Sequence, residues 1–323
     1  MAISHYDHVR ELTSGRVEAE GIDLTVLEFG VEEIFFRFAK YQEWDIGEMS
    51  MGKYISLVSR GDTSLTAIPV FPSRMFRHSS IYVRRDGRVK TPQDLKGSTI
   101  GVPEWSQSAS VYSRGMLVHD HGLNLVDITW VQAGVNEPGR VDTSSVRLPE
   151  GVELTSRSDS TLNALLLSGK IDAVLSAHAP EAFDEGNPEI VRLFPDYEEV
   201  ERDYYARTGV FPIMHTIVIK RSVAERYPWV PMNLYMAFNR AKDIAVARLL
   251  EVTASRIALP WAVSYAEKAV EMFGRDGLWP YGVEANRVTL ESFAQWAFEH
   301  GVAHRLVGLD EMFAPQTQEI FKI

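Results

Sequence analysis

The stretch GVFPIMHTIVIKR, residues 209–221, decides the fold. Its second half, HTIVIKR, is rich in β-branched residues and reads as a strand beginning at His215. It closes one kind of sequence and opens another. Upstream, strand and helix patterns alternate. The strand-like runs are GIDLTVLEF (21–29), EWDIGEMSM (43–51), TSLTAIPVF (63–71), SSIYVRR (79–85), STIGVP (98–103) and DITWVQAG (127–134). Between them VEEIFFRFAKYQ (31–42) sets Ile34, Phe35 and Phe38 on one helical face. SASVYSRGMLVHDHGL reads as a helix closed by Gly122, and TLNALLLSGKIDAVLSA (161–177) as helix, glycine stop and strand. Such alternation predicts an α/β fold with mostly parallel sheets.

Downstream of residue 221 the strands stop. Residues 231–258 carry apolar positions at helical spacing, residues 260–274 run from a proline near the helix start to Gly274, and residues 285–301 end at Gly301. The return strand at His215 therefore predicts two lobes with a ligand cleft between them. Lobe one comprises 1–84 and 215–323 and carries the late helices; lobe two, 85–214, is inserted. Asn136–Ser160, with Pro138, Gly139, Pro149 and Gly151, reads as a long surface loop or flap.

Composition narrows the function. The 323 residues suit two domains or one large one, and 45% apolar with 24% charged residues argues against disorder. A net charge of −11 is a poor match to a nucleic-acid phosphate backbone, so no nucleic-acid partner is expected. No apolar run reaches membrane-spanning length, so no membrane partner is expected either. The absence of cysteine excludes disulfides, thiolate metal sites and a cysteine nucleophile. The first residues show no basic region followed by an apolar one, which leads us to expect a cytoplasmic protein. No GxGxxG, GxxxxGK[ST], HExxH or GxSxG motif is present, and the nine histidines are scattered. Neither a metal site nor a cofactor is expected. Homo-oligomerisation is left open.

The densest polar cluster is FPSRMFRHSS (71–80), a strand-end loop holding Arg74, Arg77 and His78. Two guanidiniums this close repel unless an anion sits near them, and their forks match carboxylates. Residues three apart in an extended loop need not point the same way, so one arginine is expected to bind substrate and the other an internal carboxylate. GVPEWSQSAS (101–110) places Trp105, Ser106 and Ser108 where a strand yields to a helix. The serines cap the helix or help it receive an anion, and Trp105 could stack on a flat ligand. His215 is either a core histidine or an acid/base group at the lobe junction. Glu48, Ser50 and Lys53 lie at another strand-to-helix switch; Glu48 is a helix-start charge or a carboxylate facing the ligand. Arg140 sits in a Gly/Pro-shaped turn from which it can reach the cleft.

IPVFPSRMFRHSSIYV (68–83), WVQAGVNEPGR (130–140), GVFPIMH (209–215) and LWPYGVEANRVTLESF (278–293) resemble the 4,5-dihydroxyphthalate decarboxylase family, within the larger group with the type II periplasmic-binding-protein fold. The resemblance runs from about Tyr6 to Phe313. It implies a two-lobed fold and a carboxy-lyase that takes 4,5-dihydroxyphthalate to 3,4-dihydroxybenzoate. The substrate would be a small aromatic dicarboxylate, and the setting phthalate degradation. It assigns no catalytic residues. Our own reading puts Arg74, Arg77, Arg140, Ser106, Ser108 and Trp105 on the substrate. It makes His78 or His215 the proton donor, with His78 slightly preferred, and lets Glu48 accept a phenol proton. The competing class is a solute-binding protein for a small carboxylate in an uptake system, since the same fold does both jobs. A pyrimidine-forming group on the same fold is marked by His and Cys features, which a cysteine-free chain does not match.

Overall fold

The computed structural model describes residues 1–254 and 256–318. Its strands are β1 (Ala2–Ile3), β2 (Leu27–Glu28), β3 (Ile46–Ser50), β4 (Leu65–Ile68), β5 (Ile81–Arg84), β6 (Thr99–Val102), β7 (Thr129–Gly134), β8 (Glu153–Thr161), β9 (Ala173–Leu175), β10 (Ile190–Arg192) and β11 (His215–Lys220). They form two sheets, one ordered β2-β1-β3-β11-β4 and the other β10-β5-β9-β6-β7-β8. The chain is thus two lobes, each an α/β layer around its own sheet.

Both sheets are mixed rather than mostly parallel. The pairs β1–β2, β1–β3, β6–β7, β6–β9 and β7–β8 are parallel, whereas β11 runs antiparallel to both β3 and β4. β5 also runs antiparallel to β9 and β10. The reversals belong to chain that changes lobe: a strand returning from the other lobe enters its sheet from the opposite end.

Two segments make the crossing, 69–80 outward and 209–214 back. They run side by side. Arg74 and Ile213 form an antiparallel bridge, the Met75 N–H donates to the Pro212 carbonyl (3.2 Å), and the Met214 N–H donates to the Ser73 carbonyl (2.8 Å).

Three sequence readings need adjusting. The run 21–29 forms ladder bonds only at Leu27–Glu28, because its partner β1 is two residues long; Ile22, Leu24 and Val26 pack against the core without a partner strand. The expected flap ends early. β8 starts at Glu153 and pairs with β7, and its Ser, Thr, Arg and Asp residues suit the half-exposed edge of a sheet. The helix expected over 231–258 is Val230–Leu249; past it the Thr253 N–H and hydroxyl both bond Glu251, a local alternative to helical pairing. Besides several helices of four to six residues, a longer one went unread: Tyr197–Thr208 has little apolar periodicity, but Gly209 caps it in the left-handed conformation (φ 69°).

Of the late helices, Val230–Leu249 lies against β4 of the first lobe. Arg287–Glu299 packs on the Met51–Ser59 helix and on the second lobe's Ser108–His119 helix, where Gly115 leaves room for the Trp296 ring. No helix among the described residues is long and apolar enough to cross a membrane.

Candidate active site

A cleft of about 730 Å³ lies between the lobes, a size suited to a small ligand. Its floor comes from β3 and β11. In their antiparallel register His215 stands opposite Ser50 and Ile217 opposite Glu48, which puts Glu48, Ser50 and His215 on one face. Glu48 is fully buried. Its Oε1 lies 2.6 Å from His215 Nδ1 and accepts a 2.5 Å hydrogen bond from the Tyr6 hydroxyl; its Oε2 accepts from the Ser4 N–H (3.0 Å). The Tyr6 hydroxyl, the Ser4 N–H and the His215 imidazole thus surround one carboxylate. The Tyr6 hydroxyl, 3.3 Å from His215 Nδ1, is pushed above its ordinary pKa by burial and by Glu48, so it remains a donor. Phe35 packs edge-on against the imidazole at 4.8 Å. With Nδ1 committed to Glu48, Nε2 is the ring nitrogen left to the cleft.

Ser108 ties the lobes together beside this floor. Its hydroxyl accepts from the Gly52 N–H (3.0 Å), donates to the Met214 carbonyl (2.8 Å) and sits 2.9 Å from the Ser50 hydroxyl. Gly52 is needed here: a Cβ would stand 2.0 Å from the Ser106 carbonyl oxygen.

The two arginines of the first crossing segment part company. Arg77 lines the cleft. Its Nε contacts Met214 Sδ at 3.3 Å, its Nη1 contacts Met75 Sδ at 3.6 Å and Ser80 Oγ at 3.5 Å, and no carboxylate among the described residues is within ion-pairing reach. Burial lowers its pKa to about 10, which leaves it charged near neutrality. Arg74 is outside the cleft. It donates to the carbonyls of Pro280 (3.1 Å) and Phe211 (3.0 Å), and its guanidinium lies 4.4 Å from the Phe211 ring centroid. It staples the crossing segments to the loop before the Arg287–Glu299 helix.

Other expected residues scatter. His78 is buried away from the cleft between Phe194 and Tyr204, neither ring nitrogen has a hydrogen-bond partner, and burial lowers its pKa to about 4. Such a ring is neutral near pH 7 and holds no proton to give. Trp105 is wholly buried; its indole N–H donates to the His300 carbonyl and Arg114 covers its face at 3.8 Å. Ser106 is taken by Asp142 and Ser144, which anchor the loop before β8. Arg140 does reach the cleft, but already bonded to Glu104 (2.9 Å) and Glu32 (2.8 Å). Glu104 also meets Lys53 at 3.4 Å and Glu32 meets His178 at 3.5 Å, so a chain of charges links the two lobes along the cleft.

Sequence reasoning missed Ser4, Tyr6 and His178. Tyr6 is 42 residues from Glu48 and 209 from His215, and no local pattern marks it. Among the described residues no group of three or more His, Asp or Glu is placed to hold a metal ion.

No family model matches the chain. It is 38% identical over 324 residues to a 4,5-dihydroxyphthalate decarboxylase of Comamonas testosteroni, covering 100% of this chain and 98% of the relative. It is 39% identical over 206 residues to a protein of the same name from Pseudomonas putida, covering 64% of this chain and 80% of that one. Among solved structures it is similar to the periplasmic aliphatic sulphonate binding protein SsuA of Escherichia coli (TM-score 0.53, 13% identity, 96% of this chain and 93% of that one). It is also similar to the desulfurization enzyme DSZB (TM-score 0.50, 16% identity, 98% and 96%). At those identities the likeness shows the periplasmic-binding-protein-like fold alone, and one neighbour binds while the other is an enzyme.

Proposed function

The chain belongs to the 4,5-dihydroxyphthalate decarboxylase family, and from that premise we propose that it removes one carboxyl group from 4,5-dihydroxyphthalate, giving 3,4-dihydroxybenzoate and carbon dioxide. The observation that carries the chemistry is the Glu48–His215 pair on the floor of a cleft that also holds Arg77, a buried cation with no carboxylate among the described residues within ion-pairing reach.

The substrate presents two neighbouring carboxylates on a flat ring with two hydroxyls at the far side. Arg77 grips the carboxylate that is retained, through the two-pronged geometry that guanidinium and carboxylate share. The hydroxyl para to the departing carboxylate pushes electrons into the ring. His215 delivers a proton from Nε2 to the ring carbon bearing that carboxylate. The carbon–carbon bond then breaks, its electron pair restores the aromatic ring, and carbon dioxide leaves. Each turnover consumes one proton. Glu48 holds the imidazole through Nδ1 and so orients Nε2 toward the ring. Because the ring itself accepts the electrons, the step as written calls for no cofactor. On this reading the enzyme works in the cytoplasm.

The test is direct. Purified protein incubated with 4,5-dihydroxyphthalate in deuterated water should release carbon dioxide and yield 3,4-dihydroxybenzoate labelled at the vacated position. His215→Gln should lower kcat about 10²–10⁴-fold with little change in KM, the usual weight of general acid catalysis. Tight binding of an unchanged diacid by the wild-type protein would instead make it a binding protein. Labelling with normal turnover in His215→Gln would remove His215 from the role.

A further inference from the structure

Arg77 differs from every other cation along the cleft in what holds it. Arg140 and Lys53 face carboxylates, Arg60 donates to the Ser56 carbonyl, Lys40 lies over the Phe36 and Tyr41 rings, and Arg74, outside the cleft, is fastened by two carbonyl oxygens. Arg77 meets two thioether sulfurs and one hydroxyl. A carboxylate in place of the sulfurs would take the guanidinium fork for itself and compete with an incoming anion. A thioether is only a weak acceptor and carries no charge, yet it is bulky and polarizable enough to fix a planar group by contact.

The sulfurs meet different nitrogens of the guanidinium, Met214 at Nε and Met75 at Nη1. Met214 is buried, and its backbone is pinned at both ends: its N–H donates to the Ser73 carbonyl, and its own carbonyl accepts from the Met51 N–H (2.9 Å) and the Ser108 hydroxyl. Met75 lies in the other crossing segment, 54% exposed, on the open side of the cleft. Each crossing segment therefore contributes one sulfur, and the guanidinium sits where the segments pair.

We propose that Met75 and Met214 are positioning residues for Arg77: their thioethers fix the guanidinium plane while leaving its charge for the substrate's retained carboxylate. This rests on the reading of Arg77 as the carboxylate grip and adds what makes that grip effective.

The experiment is a double-mutant cycle read by calorimetric binding of phthalate, a diacid that lacks the ring hydroxyls, together with steady-state kinetics on 4,5-dihydroxyphthalate. Met75→Leu, at an exposed position, keeps the bulk and removes the acceptor. It should weaken phthalate binding and raise KM about two- to tenfold, the span of one weak hydrogen bond, while kcat changes far less. Met214→Leu should do the same. In an Arg77→Lys background, Met75→Leu should have no further effect, because an ammonium has no plane to orient. If the loss from Met75→Leu persists undiminished in that background, Met75 touches substrate directly and the proposal falls. Unchanged affinity in both leucine variants also overturns it. Wild-type phthalate affinity in Arg77→Lys alone would remove the grip, and this proposal with it. Protein that binds phthalate with the expected coupling but does not turn over 4,5-dihydroxyphthalate would leave the proposal standing and overturn the decarboxylase reading instead.

Discussion

Arg74 and Arg77 are three residues apart and are held by opposite means, so the same substitution should read out differently at each. Arg77→Lys keeps the charge and loses the fork; KM for the diacid should rise more than about tenfold with a modest loss of kcat. Arg74→Lys should leave KM within about twofold but strip hydrogen bonds from two carbonyls, costing on the order of 2–3 kcal/mol in a denaturation curve. The loop's composition made both arginines visible as candidates. Which one faced the cleft depends on Pro280 and Phe211, far away in sequence, and so was not legible. His78 was read by proximity to that pair and fails on burial. Its pKa in the fold is about 4, as is that of His8, against an ordinary value near 6.5. A base whose folded pKa is depressed stabilises the fold above its unfolded pKa and loses that contribution as pH falls. Each of these histidines should cost the fold up to about 3 kcal/mol between pH 6.5 and 4. Melting temperature followed over that range should drop, and His78→Phe should flatten part of the drop.

At the scale of elements, the Val31–Tyr41 helix, the loop before β8 and the loop after β9 meet at the cleft through Glu32, Arg140 and His178. The His178 side chain, with Arg140 at the same carboxylate oxygen, holds the Glu32 pKa down to about 2, and Glu32 in turn raises His178 above its ordinary value. The carboxylate's contribution is present above the usual carboxylate range and fades as pH falls through that depressed value. The histidine's is full below about 6.5 and fades as pH rises through its raised value. The latch is strongest between about pH 4 and 6.5 and keeps only the Arg140 arm once the pH has risen past the raised His178 value. These side chains are half exposed, so each pair contributes at most about 1 kcal/mol. Glu32→Gln should accordingly speed phthalate dissociation a few-fold at pH 6 and less at pH 8, as stopped-flow displacement would show. Periodicity marked the helix through Ile34, Phe35 and Phe38. Of the latch only Arg140 was marked in the sequence, by its Gly/Pro-shaped turn; Glu32 and His178 come from a separate helix and loop and left no trace. β8 was hidden for a related reason: an edge strand facing water has no apolar alternation to betray it.

The whole molecule works by bringing two sheets together around paired crossing segments, and Gly52 sets how near they come. A methyl group there would collide with the Ser106 carbonyl. Gly52→Ala should hold the lobes apart, increase the radius of gyration seen by X-ray scattering, and raise KM more than about tenfold, because Ser108 and the floor would no longer meet. Compact scattering and a normal KM would show that the contact can yield. The two-lobed plan was legible because strand–helix alternation gives way to helices just after one strand, HTIVIK. What the pattern could not convey was that the first residues of the chain help build the floor. Ser4 and Tyr6 reach Glu48 only because β1 lies beside β3.

That placement has a kinetic consequence. The strands of the six-stranded sheet come from a single uninterrupted span, 81–192, whereas the five-stranded sheet needs residues 2–68 and then waits for 215–220. During synthesis the first sheet to have all its strands is therefore the inserted one, and β11, whose opening residue is His215, is the last to be added. Contacts spanning 209 residues carry a large loop-closure cost and form late. Assembly of the cleft floor is thus tied to the last strand, and a chain stalled before that step would carry a finished six-stranded sheet with His215 not yet beside Glu48.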